Sequence, residues 1–155
     1  MEKYAARFGG IARLYGTAGL EKLRAAHVAV IGVGGVGSWT AEALARSGVG
    51  KLTLIDLDEV CLTNTNRQIH ALEGAIGKAK VDELAARISK INPECEVIPQ
   101  QQFFTEETAE SILKDGFSYV VDAIDGLSNK CLLLTECRKR KISVITCGAA
   151  GGRRD

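Results

Sequence analysis

Few folds admit a strand that dissolves into clustered glycines and then restarts as a helix, and residues 29–39 read AVIGVGGVGSW. The apolar run ends at Ile31, and Gly32, Gly34, Gly35 and Gly37 follow in the order G-x-G-G-x-G, which satisfies the spacing G-x-G-x-x-G. In such a loop Gly32 permits the tight turn, Gly34 lets backbone approach phosphate oxygens, and Gly37 lets the helix pack close to the sheet. The amides opening that helix, with the positive end of its dipole, favour an anion. The segment therefore reads as a nucleotide phosphate site. The loop alone does not choose between NAD, FAD and ATP.

The rest of the chain repeats the same alternation. Helices are expected over 18–26 (capped by Thr17), 35–47, 78–91, 105–114 (capped by Thr105) and 127–140, with strands at 27–31, 52–55, 97–98, 119–123 and 142–146. In the helix after the glycine loop, Val36, Trp39, Ala43 and Leu44 fall near one face, expected to be the buried one. Gly48 should stop that helix, and Asn92-Pro93 the one before the third strand. Apolar strands alternating with helices imply a doubly wound, Rossmann-like α/β fold, a parallel sheet with helices on both faces. At 155 residues it is one domain.

Composition narrows the partners. A net charge of +1 gives no general attraction to nucleic acid or membrane. The basic clusters are Arg138-Lys139-Arg140-Lys141, read as a solvated helix end, and Arg153-Arg154. Apolar runs stop well short of the roughly 20 residues of a membrane span, and the start MEKYAARFGG lacks a signal-peptide core. The cysteines (Cys61, Cys95, Cys131, Cys137, Cys147) are odd in number and form no CxxC pair, against a disulfide scaffold or structural zinc site. A cytoplasmic protein is expected. The ending CGAAGGRRD reads as the beginning of a loop, so the chain is expected to be the N-terminal part of a longer fold.

Residues 52–68, LTLIDLDEVCLTNTNRQ, carry the second signal. Asp56, after the second strand, suits ribose hydroxyls and fits NAD as well as ATP. The loop beyond it crowds Asp58, Asn64, Asn66, Arg67 and Gln68 together. Arg67 can fork onto a phosphate, Lys80 opens the next helix, and Asp125, expected to end the fourth strand in VVDAID, can hold magnesium. A lysine, an arginine and a metal-binding carboxylate at strand ends suit nucleotidyl chemistry better than hydride transfer. No G-x-x-x-x-G-K-[ST] occurs, and GAIGKAK at 74–80 matches it only superficially, so a P-loop ATPase is excluded.

With GVGGVGSW, DLDxVxxxNxNRQ, GxxKV and DAID in place, the chain resembles the HesA/MoeB/ThiF group, bacterial relatives of ubiquitin-activating enzymes, from about Arg7 to Gly152. RFGGIARLYG, the GSW after the loop and the ending CGAAGGRRD are most similar to the branch acting on threonylcarbamoyladenosine in tRNA. The resemblance implies a homodimeric adenylating enzyme using ATP and Mg2+. A carboxylate, in that branch the threonyl carboxylate of the modified tRNA, attacks the α-phosphate. The carbamoyl group then closes a ring, with net loss of water. It further implies that Gly32, Gly34, Gly35, Gly37 and Asp58 line the nucleotide and that Asp56 binds ribose. Asn64, Arg67 and Lys80 contact phosphates, and Asp125 holds magnesium.

Two departures stand out. Many relatives carry R-Y-x-R-Q near the start, whose second arginine reaches the partner's ATP; here Gly10 takes its place, with Arg13 a candidate substitute. No cysteine matches the acyl-accepting cysteine of thiol-transferring relatives, and Cys61, Cys131, Cys137 and Cys147 are expected to be small core or helix residues. Alternatives are an activator of a ubiquitin-like sulfur-carrier protein within a sulfur relay, a nucleotide-binding module without turnover, and, from Gly32 to Gly37 with Asp56 alone, an NAD-dependent oxidoreductase.

Overall fold

The computed structural model describes residues 2–114 and 116–148. The basic pair Arg153-Arg154 and the ending from Ala149 lie outside them. The elements run α1 (Glu2–Ala25), β1 (His27–Ile31), α2 (Gly37–Arg46), β2 (Lys51–Ile55), a short 3-10 turn (Leu62–Asn64), α3 (Lys80–Ile91), β3 (Glu96–Gln100), α4 (Glu106–Leu113), β4 (Tyr119–Asp122), α5 (Leu127–Arg140) and β5 (Val144–Thr146). All strand pairs are parallel, in the order β3-β2-β1-β4-β5.

The central strands β1, β2 and β4 are largely apolar because both sheet faces are covered there, whereas the edge strands β3 and β5 are partly exposed. Val28, Val30, Leu52 and Leu54 meet Ala41 and Ala45 of α2 and Val81, Leu84 and Ile88 of α3. The alternate residues Ala29, Ile31 and Ile55 meet Ala109 and Ile112 of α4 and Leu133 and Cys137 of α5. Strand alternation thus assigns successive side chains to opposite layers. The sheet order reverses between β1 and β4, and ligands of open α/β sheets gather at such a switch point.

Thr105 caps α4 as expected, in a reciprocal capping box with Thr108. Three expectations are corrected. The first helix begins at Glu2 and bends at Gly16 (φ 75), so the stretch expected over 18–26 is only its second half. Tyr4, Phe8 and Leu20 bury against each other on this helix, and Arg7 Nη1 donates to Ile91 O at 3.0 Å. α2 turns the other way: Ser38, Ala41, Glu42 and Ala45 are buried, while Val36 and Trp39 are 49% and 55% exposed. Glu42 tolerates burial because Arg46 and Arg87 both bond its carboxylate, which the Arg87 hydrogen bond above all holds below its ordinary pKa. Finally, β4 ends at Asp122, so Asp125 lies in the loop before α5 and not at the strand end.

Candidate active site

A cleft of about 400 Å³ opens at the carboxyl ends of β1, β2 and β4. Its walls include Gly32, Gly34, Gly35, Asp56, Asp58, Asn64, Arg67, Lys80 and Asp125. Asp56, Asp58, Asn64, Arg67, Lys80 and Asp125 are therefore on one cavity, which Asn66 does not line. Of the four motif glycines, Gly37 lies beneath the loop.

The glycine loop is held by backbone contacts that a side chain would break. Gly32 has φ 86, and a Cβ there would sit 2.7 Å from Ala123 O. A Cβ on Gly37 would sit 1.8 Å from Gly32 O. Asp56 fastens the loop from the side: Oδ2 accepts from Val33 N at 2.8 Å and Oδ1 from Asp58 N at 2.9 Å. A carboxylate oxygen takes more than one hydrogen bond, so Asp56 keeps acceptor capacity toward the cleft.

On the β2 side, Lys80 is buried and its Nζ donates to Asp58 Oδ2 at 2.8 Å, while Lys80 N donates to Asp58 O at 3.0 Å. Asp58 thus anchors Lys80 as well as lining the cleft. Asn64 is buried and its Oδ1 accepts from Cys61 N at 2.9 Å, which leaves the amide NH2 as its free donor group. Arg67 is exposed and curled onto its own turn: Nη1 donates to Thr63 O at 3.0 Å and to Asn66 Oδ1 at 2.9 Å.

On the β4 side, Asp125 is exposed on the cleft wall. Among the described residues no group of three or more His, Cys, Asp or Glu could hold a metal. A carboxylate across the cleft from the glycine loop suits magnesium, which binds one or two carboxylates plus phosphate oxygens and water, and does not suit structural zinc. Its neighbour Asp122 is fully buried: Oδ2 accepts from Lys130 Nζ at 2.7 Å and Thr146 Oγ1 at 2.5 Å, and Oδ1 from Ile124 N at 3.1 Å. Asp122 is an internal tie shaping the Asp125 loop.

Gln102, Phe103, Phe104 and Asn129 also line the cleft and were not foreseen. The adjacent aromatics just past β3 were the legible signal for two of them. Gln68, noted only as part of the crowded loop, is buried on the wall, with Oε1 lacking a hydrogen-bond partner among the described residues. Arg13 is exposed on α1 and does not line its own chain's cleft. The α1 helix packs instead at the opposite end of the sheet, where Gly50 N and Lys51 N donate to Leu23 O and Ala26 O.

Of the cysteines expected in the core or on helices, Cys137 is buried and Cys131 is exposed on α5. Cys147 is half-buried, and Cys61 is exposed in a loop, against expectation. Burial pushes the thiols of Cys95 and Cys137 up to about 11, which suits packing and not nucleophilic attack.

The ThiF family model matches residues 9–153. The chain belongs to the ThiF family. It is 51% identical over its whole length to the tRNA threonylcarbamoyladenosine dehydratase of Haemophilus influenzae, of which it spans 59%. Crystal structures of the Escherichia coli tRNA N6-threonylcarbamoyladenosine dehydratase, TcdA, with ATP and with AMP each superpose with a TM-score of 0.97 at 51% identity. They are matched over all of this chain and over 64% and 63% of their own. This ThiF-family chain therefore spans a little over half the length of the relatives it matches.

Proposed function

We propose that the chain is the ATP-binding adenylation part of a tRNA threonylcarbamoyladenosine dehydratase. The observation that carries this is the convergence of Lys80 and Arg67 on one flank of the glycine loop and of Asp125 on the other. A redox dinucleotide site has no use for that trio, whereas a triphosphate does. The similarity to a dehydratase crystallised with ATP and with AMP supports the same reading.

In this reading the phosphates lie over Gly32, Gly34 and Gly35, and Asp56 accepts from the ribose hydroxyls. Asn64 donates its amide to a phosphate oxygen. Arg67 and Lys80 face the α-phosphate and the departing pyrophosphate, where they hold the bound nucleotide and bind it more strongly still as negative charge grows in the transition state. Magnesium, held by Asp125, would neutralise phosphate charge when bound. The threonyl carboxylate of the modified tRNA forms a bond to the α-phosphorus and pyrophosphate leaves. The carbamoyl group then attacks the activated carbonyl, loses a proton and expels AMP, so the base has lost one water overall. No acceptor thiol is needed.

A tRNA substrate implies the cytoplasm, and among the described residues no helix is long and apolar enough to cross a membrane. A homodimer accords with the exposed Leu14 and Tyr15 beside Arg13 on α1. Calorimetric titration with ATP–Mg and with NAD tests the assignment. ATP–Mg binding that Arg67→Ala weakens measurably is the expected result; binding of NAD alone would overturn it.

A further inference from the structure

The pair Ser38-Trp39, directly after the glycine loop, has no role in the nucleotide contacts described above. Trp39 lies outside the core, and its indole Nε1 donates to the backbone O of Arg67 at 2.9 Å. One residue earlier, the buried Ser38 hydroxyl accepts from Ile69 N at 3.4 Å. The Arg67 stem runs beside Gly35, with Cδ and Cγ 3.5 Å from where a Cβ on that glycine would stand. Contacts from Gly35, Ser38 and Trp39 thus bind the segment from Arg67 to Ile69 against the opening turn of α2.

The two ends of Arg67 are held differently. Its carbonyl is fixed to α2 through Trp39, while among the described residues its guanidinium bonds only to its own turn, at Thr63 O and Asn66 Oδ1. A fixed root with an exchangeable head is what an arginine needs if it is to leave a resting contact for a charged ligand. Gln68, in the same bound segment, holds on the cleft wall a buried Oε1 without a partner among the described residues.

We infer that Trp39 is a positioning residue, setting the reach of Arg67 toward the phosphate end of the cleft through its hydrogen bond to the Arg67 carbonyl. The inference rests on the ATP reading of the cleft. Core packing does not account for Trp39, since about half its surface is in water. What only tryptophan supplies there is the N–H aimed at Arg67.

The test is calorimetric titration of ATP–Mg into the unsubstituted chain, Trp39→Phe, Arg67→Ala and the double variant, with thermal unfolding of each in the absence of nucleotide. Trp39→Phe should weaken binding roughly three- to tenfold, the range for one net hydrogen bond. It should leave the ligand-free Tm within about 2 °C. The double variant should bind no more weakly than Arg67→Ala alone, because Trp39 acts only through Arg67. Unchanged binding by Trp39→Phe, full additivity with Arg67→Ala, or a loss explained by a parallel fall in Tm would each overturn the inference. Those results, with Arg67→Ala still impaired, leave the ATP reading standing. Normal ATP–Mg binding by Arg67→Ala would remove both.

Discussion

Lys80 illustrates how a charged side chain is readied before any ligand arrives. A lysine opening a helix would ordinarily reach into water, but this one is buried, with Nζ held 2.8 Å from Asp58 Oδ2. Arg67 is the contrasting case, exposed and resting on its own turn. If both meet charge that grows in the transition state, Lys80→Ala or Arg67→Ala should each cost about 2–4 kcal/mol of activation free energy, by analogy with lost oxyanion donors. ATP–pyrophosphate exchange measures this, and rates within a few-fold of the unsubstituted protein would take the residue out of the mechanism. His70 is a second residue whose situation comes from tertiary packing. It is 2% exposed, with neither ring nitrogen hydrogen-bonded among the described residues, and burial first, then the nearby Lys80 charge, lowers its pKa to about 4. The unfolded chain therefore takes up a proton near pH 6.5 that the folded one refuses, so stability falls as pH drops from about 6.5 toward 4. The full span is about 3 kcal/mol, and urea unfolding across that range should show it. His70→Leu should flatten the slope; an unchanged slope would mean that another group titrates.

At the scale of elements, Gly37 decides how closely α2 approaches β1. Gly37→Ala would drive a methyl to 1.8 Å from Gly32 O, so the helix must move away from the loop it supports. The expected cost is about 1–3 kcal/mol, the usual range for overpacking, together with loss of nucleotide binding. Thermal unfolding and calorimetry check the two halves separately, and retained affinity would show that the helix start need not sit so close. The elements were largely legible, because apolar strands and helical spacing are local patterns: β1 and α5 fall at the expected residues. The first half of α1 was not, since Gly9, Gly10 and Gly16 look like loop residues until Tyr4 and Phe8 find their partners. The face of α2 is hidden from the sequence for a similar reason. Spacing alone puts Trp39 in the core, whereas the buried carboxylate is Glu42, made tolerable by Arg46 on its own helix and by Arg87 arriving from α3. The position of Asp125 depended on where β4 ends, and β4 stops at Asp122, the carboxylate that the buried Lys130 ties to the end of β5.

At the scale of the whole molecule, the sheet order places three loops around one cavity: the glycine loop after β1, the Asp56 segment after β2 and the Asp125 loop after β4. The switch point between β1 and β4 supplies a nucleotide site in any doubly wound sheet, which is why fold alone does not separate ATP from NAD. The separation comes from charge on the two flanks, Lys80 and Arg67 against Asp125, and it can be read as a difference in stabilisation. A ligand that binds only the folded state at about 100 times its Kd adds about 2.7 kcal/mol. For a domain of this size that raises Tm by roughly 5–10 °C. On the proposed reading ATP–Mg should produce a rise of this kind, smaller in Arg67→Ala, because the triphosphate would engage both basic groups more fully than a diphosphate. NAD should give less at equal concentration: its pyrophosphate can sit on the glycine loop and its ribose on Asp56, but it has no third phosphate to meet Lys80 and Arg67. A larger rise with NAD would mean that the glycine loop governs the cleft and that the basic flank serves structure, returning the site to dinucleotide chemistry.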